Sequence, residues 1–198
     1  MGMDMLEAEY KDKIILALRQ KYVQKQAETQ DIGSSIWLGT KKEQLRMEWL
    51  FQEKCSMLLP ECLTDMGEAE VAARYRSVNR PQIIKAQKHG DAVLTFSLIT
   101  MEECGEKLKV TDRLARLRQD MKKLWKQNVF YDTGIVQAGE LDIPWMDMRG
   151  FCLNGSFYSL MFLWEIDEDV ALGNFHCGFP QYDIWKPVML KLFTTIKI

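Results

Sequence analysis

His176 and Cys177 are adjacent, with Asp183 close behind, and a thiol beside an imidazole is the pairing that makes a thiolate nucleophile. The chemistry needs the two side chains together in space. Val170–Cys177 reads as a strand, and neighbouring residues of a strand point to opposite faces. The other histidine, His89, lies in a stretch that reads as a linker, far along the chain. No catalytic residue is therefore assigned, and the chain is expected not to be an enzyme. Metal chemistry is also disfavoured. Cys55, Cys62, Cys104, Cys152 and Cys177 make no C-x-x-C or H-x-x-x-H cluster, and Pro60 separates the two that lie nearest each other. The acids Glu102-Glu103 and Glu165, Asp167, Glu168 and Asp169 lack the spacing of a calcium loop, and the second group reads as a solvated turn. Phosphate-cradling glycine loops are missing, so no cofactor is expected.

Two other groups of residues suggest recognition of a partner. Arg74, Arg76, Arg80, Lys85 and Lys88 occur with no acid from Val71 to Gly90. A helix expected over Lys107 to Gln127 carries Arg113, Arg116, Arg118, Lys122 and Lys123 on its polar side, against Asp112 and Asp120. Such a face suits an acidic protein surface or a nucleic-acid backbone, and a merely solvated helix face explains it more simply. Trp145 and Met146 follow Pro144 in what reads as a loop between strands, where an aromatic and a methionine suit protein recognition and a packed lid over the sheet edge equally well. The candidate partner-binding residues are thus Trp145, Met146, Arg113, Arg116 and Lys123.

The elements that must position these residues change character near Asp91. Residues 1–90 read as a helical N-terminal region. Its helices are expected over Asp4 to about Gln30, Lys41 to Leu59, and Gly67 to about Arg76, the last ending before Asn79-Arg80-Pro81. Residues 91–198 read as an antiparallel α/β/α sandwich domain. Val93 to Thr100 alternates as a half-buried strand, and Val110, Leu114, Leu117, Met121 and Leu124 form one helical stripe. Val129 to Ala138 follows as a strand. Met148–Leu153 and Phe157–Ile166 flank Asn154-Gly155, a pair suited to a tight hairpin. Phe157–Ile166 is apolar on both faces, which predicts a central strand covered from both sides. After Val170–Cys177 the period lengthens: Ile184-Trp185, Val188-Met189 and Leu192-Phe193 recur every four residues, then Ile196. That is a closing helix, with Asp183 as its cap, Pro187 in its first turn and Ile196–Ile198 extended beyond it. The fold class is α+β, an antiparallel sheet flanked by helices.

The totals agree with a globular protein. The 198 residues are 47% hydrophobic and 27% charged, with a net charge of −2, which points to neither nucleic acid nor an anionic membrane. No apolar run is long enough for a membrane helix, and the first residues do not read as a secretory signal. An odd number of cysteines without paired spacing points to a reducing cytoplasm.

The runs Ser156 to Phe162 and Gly173-Asn174-Phe175-His176-Cys177, with Trp185-Lys186-Pro187 before a terminal amphipathic helix, resemble bacterial PsbP/Mog1-like α/β/α sandwich proteins. The resemblance covers residues 91–198. It implies a sandwich fold and a role in binding other proteins, as adaptor, chaperone or secretion-accessory factor. The partner would then be another protein, a toxin or secreted effector included, with nucleic acid disfavoured and no membrane involved. Two alternatives stay open: an immunity protein neutralising a cognate toxin, and a hydrolase with its site between the sheet and the N-terminal helices.

Overall fold

The computed structural model describes residues 18, 25, 29–77, 79–100, 108–153 and 155–198. Among the described residues, ten strands and three longer helices follow in chain order: β1 (Ser35–Leu38), β2 (Lys41–Leu50), β3 (Cys55–Pro60), β4 (Leu63–Asp65), α1 (Glu68–Arg74), β5 (Ile83–Gln87), β6 (Val93–Ile99), α2 (Val110–Leu124), β7 (Val129–Ala138), β8 (Leu141–Cys152), β9 (Gly155–Ile166), β10 (Asp169–Gly178) and α3 (Tyr182–Phe193). The strands form a three-stranded sheet, β1-β2-β3, and a seven-stranded sheet in the order β4-β5-β6-β10-β9-β8-β7. Every ladder is antiparallel. The fold is α+β, as the sequence predicts.

β9 lies inside the large sheet and both of its faces are covered, which is why it is apolar throughout. On one face Phe162 and Trp164 pack with Trp185, Val188, Leu192 and Phe193 of α3 and with Met57 and Leu59 of the small sheet. The Phe162 and Phe193 rings stack at 3.9 Å between centroids. On the other face Leu163 packs with Val110, Leu114 and Met121 of α2 and with Met146 and Met148 of β8. Gly173 of β10 is needed beneath this layer, since a Cβ there would run into the Phe162 ring.

Several expectations are corrected. Lys41 to Leu59 is not a helix: β2 and β3 pair from Leu45↔Pro60 to Leu50↔Cys55 around a turn at Phe51–Lys54. Glu, Gln, Arg, Leu and Met favour helices locally, but the burial of Leu50, Cys55, Met57 and Leu59 outweighs that weak preference. The large sheet also draws β4 and β5 from before residue 91. The helix expected over Asp4 to Gln30 falls largely outside the described residues.

At the C-terminus α3 starts earlier than Asp183. Gly178 leads into a 3-10 turn, Phe179–Gln181, and Gln181 occupies the cap position without a side-chain cap bond. Asp183 thus sits in the first turn, where its charge favours the helix dipole, and Pro187 falls inside the helix. Ile196–Ile198 is extended as predicted: Lys197 and Ser56 exchange backbone hydrogen bonds of 2.8 and 3.0 Å, tying the tail to β3.

Candidate functional site

The side chains of β10 alternate as the sequence analysis requires. Cys177 is buried on the α3 side, while His176 faces the α2 side, where it stands opposite Ser159. Burial pushes the Cys177 thiol well above its ordinary range, and the carboxylates of Asp91 and Asp183 add to the shift. Ser159 donates its hydroxyl to Asn174 Oδ1 at 2.8 Å, not to the imidazole. No nucleophile–base pair is assembled here. Among the described residues no group of His, Cys, Asp and Glu could hold a metal ion.

Trp145 and Met146 are not on a loop. They belong to β8, which runs unbroken from Leu141 through Pro144 to Cys152, and they are 9% and 2% exposed. Pro144 fits a strand because the β8–β9 ladder begins only at Trp145, which leaves Pro144 paired on the β7 side alone. The Trp145 ring lies across Gly134, where a Cβ would stand 2.8 Å from it. The basic run before Gly90 also disperses: Lys85 is 5% exposed and bonds Glu48 at 2.8 Å and Asp65 at 2.9 Å, while Arg74 pairs with Glu70.

A buried polar network ties the sheet to α3. Asp147, 1% exposed, accepts from Tyr158 (3.0 Å), Lys186 (2.7 Å) and the backbone N–H of Asp132 (2.7 Å). Lys186 also bonds Asp132 Oδ2 at 2.7 Å and lies 5.3 Å from the centre of the Trp145 ring. The β7–β8 register shifts between Phe130 and Thr133, so Asp132 sits in a bulge and its N–H finds the Asp147 carboxylate instead of a ladder partner. Burial disfavours the Lys186 charge, but hydrogen bonds to Asp132 and Asp147 outweigh it and the pKa rises. The same lysine holds the Asp132 carboxyl below its ordinary value. Burial first, and the Asp147 charge second, drive the Tyr158 hydroxyl far above its usual range. Each charge is matched by a partner, so the network clamps α3 to the sheet.

The candidate recognition site lies beside it, along the edge of the sheet. α2 packs chiefly over β8 and β9 and reaches β7 at Phe130 and Tyr131. A groove of about 470 Å³ opens between them, with Thr111, Ala115, Arg118 and Lys122 on the helix side and Thr133 and Ile135 on the strand side. Ile135 is 52% exposed. Arg118 and Lys122 sit 5.9 and 5.7 Å from the centre of the Phe130 ring, which fixes both cations at one lip. Arg118 donates from Nη2 to the Tyr131 carbonyl at 3.2 Å, while its buried Nε has no hydrogen-bond partner. These steps of four, three and four residues (111, 115, 118, 122) place one flank of α2 on the groove. Arg113, Arg116 and Lys123 lie on other flanks: Arg113 donates to the Leu108 carbonyl at 3.0 Å and Lys123 pairs with Asp120. Helical spacing separates the two sets, but only the position of β7 shows which set borders a groove.

No family model and no curated protein sequence matches the chain. Among solved structures, cyanobacterial PsbP (CyanoP) from Synechocystis sp. PCC 6803 superposes with a TM-score of 0.55 at 9% identity, over 86% of this chain and 98% of that one. Protein PA94 of Pseudomonas aeruginosa, of unknown function, gives a TM-score of 0.47 at 10% identity over 76% of this chain and 94% of that one. The chain thus has a PsbP-like fold, and the likeness extends into the residues before 91. At such identity it is a likeness of fold alone. No described helix is long and apolar enough to cross a membrane.

Proposed function

We propose that this protein is a non-enzymatic, cytoplasmic binding module that takes an acidic, extended segment of another protein along the groove between α2 and β7. The observation that carries this reading is the conjunction of an edge strand with a basic lip: β7 ends the sheet, and Arg118 and Lys122 stand beside it over Phe130. An added strand would hydrogen-bond to Thr133–Ala138 and set alternate side chains toward the helix, where a carboxylate would meet the Arg118 and Lys122 cations. The non-enzymatic part is supported by the Ser159 hydroxyl being committed to Asn174 and by His176 and Cys177 facing apart. Free thiols at Cys55, Cys62, Cys152 and Cys177 support a reducing compartment.

Selection from a displayed random-peptide library tests the reading. Enriched sequences should alternate carboxylates with β-forming residues, weaken in high salt, and protect the amides of Thr133–Ala138 from exchange. The double variant Arg118→Glu/Lys122→Glu should lower their affinity at least tenfold, about 1.4 kcal/mol or more. Enrichment of nothing, or of peptides indifferent to that variant, would refute it.

A further inference from the structure

A second cleft, about 510 Å³ in volume, lies on the same face of the large sheet and arises because α2 is shorter than the strand beneath it. The helix stops at Leu124, and Trp125 closes it with a hydrogen bond to the Met121 carbonyl of 2.8 Å. β9 continues to Phe157 and beyond, so the cross-strand pair Ser159 and His176 is left outside the helix's cover. On the far side α1 packs with Val71 and Tyr75 over Val93. The cleft is walled by Met121, Trp125, Met148, Phe157 and Met161, and floored by Ser159, Asn174 and His176.

We propose that this cleft binds a neutral, planar aromatic molecule carrying a hydrogen-bond acceptor. None of its lining residues is charged, so a charged ligand would lose its hydration without gaining a partner. Three thioethers and two aromatic rings favour an aromatic ring over a saturated one, because sulfur and ring edges attract each other beyond simple burial. The acceptor requirement comes from the floor. Asn174 is held by the Thr95 hydroxyl on its carbonyl (3.3 Å) and spends its Oδ1 on Ser159 (2.8 Å). Its remaining polar atoms are the two amide N–H donors, and among the described residues nothing accepts from them. The His176 ring likewise has no hydrogen-bond partner there, and burial, helped by the nearby Arg74 charge, keeps it neutral. Asn174 and His176 are both half-buried and line the cleft. A ring acceptor or aryl carbonyl facing Asn174, with the imidazole beside it, would complete both sets.

Ligand-detected and amide-detected NMR of the full chain with three probes tests this: benzamide, cyclohexanecarboxamide and toluene. Benzamide should bind saturably in the millimolar range, as about 0.3–0.5 kcal/mol per heavy atom implies, and shift the amides of Met121, Trp125, Phe157 and Met161. Cyclohexanecarboxamide, which keeps the acceptor but not the aromatic ring, and toluene, which keeps the aromatic ring but not the acceptor, should each bind about tenfold more weakly. Asn174→Ala should reduce benzamide to the level of toluene. Trp125→Ala, at a 43% exposed position that folding tolerates, should weaken it independently. Arg118→Glu/Lys122→Glu should leave benzamide binding unchanged, which separates this site from the groove at β7. Absence of saturable benzamide binding, equal binding of the saturated amide, or shifts confined to other residues would overturn the proposal.

Discussion

Asp147 is the residue on which most of the polar architecture turns. Its carboxylate takes three donors from three different elements, Tyr158 of β9, Lys186 of α3 and the bulged Asp132 of β7. Removing it strands a tyrosine hydroxyl, a backbone N–H and half of the contacts of Lys186 in a region that water reaches poorly. Asp147→Ala should therefore cost about 3 kcal/mol in chemical denaturation, near the lower end for breaking a buried pair because Lys186 keeps Asp132. Tyr158→Phe removes one neutral donor and should cost about 1 kcal/mol. Equal costs for the two variants would show that the carboxylate does not organise the network. The sequence gives a faint sign of this clamp, since Asp147 sits between Met146 and Met148 and Lys186 between Trp185 and Pro187. It does not show that the two meet, because their pairing depends on how α3 is laid across the sheet.

At the scale of elements, the turn joining β2 to β3 is the most unusual feature. Phe51, Gln52 and Glu53 have φ of 53°, 57° and 68°, three successive non-glycine residues in the left-handed region. Each costs about 1 kcal/mol relative to a relaxed backbone. The ladder Leu50↔Cys55 and the buried side chains that flank it impose the turn. Gln52 is exposed, so Gln52→Gly should relieve one strained residue and raise stability by up to about 1 kcal/mol, read as a higher denaturant midpoint with unchanged m-value. A lower midpoint would mean that the turn is not held against its own preference. The same hairpin explains why the sequence misleads here, since nothing in Lys41–Leu50 announces a strand until Cys55–Pro60 is folded against it. Elements with an internal pattern are legible by contrast. Val129–Ala138 is a strand over the span its residues predict, and the stripe from Val110 to Leu124 is a helix.

For the molecule as a whole, the titration of buried groups sets how stability depends on pH. Burial raises the Cys55 and Cys62 thiols to about 11, and Cys177, Tyr158 and Lys186 shift in the same direction. In each case the folded state holds its proton more tightly than the unfolded chain. Their contribution is complete below the ordinary thiol value of 9.0 and is lost as pH rises toward about 11. The melting temperature should fall steadily from pH 9 to 11, and Cys55→Ala/Cys62→Ala should make that fall shallower. A melting temperature that climbs across this interval would contradict the assignment.

The sequence alone determined what periodicity encodes: the order of elements from Val93 onward, the two-sided burial of Phe157–Ile166, the closing helix, and the separation of His176 from Cys177. These are local, because side-chain direction follows from backbone type residue by residue. Tertiary structure decided whatever depends on distant segments meeting. It turned helix-forming residues into β2, placed Trp145 in a strand beneath Gly134's open side, and buried Asp147 against Lys186. It also set the length of α2 against the sheet, which leaves a groove along β7 on one side and a cleft over Ser159 and His176 beyond the helix end. Those spaces are differences between the extents of packed elements, and no stretch of the chain carries such a difference by itself.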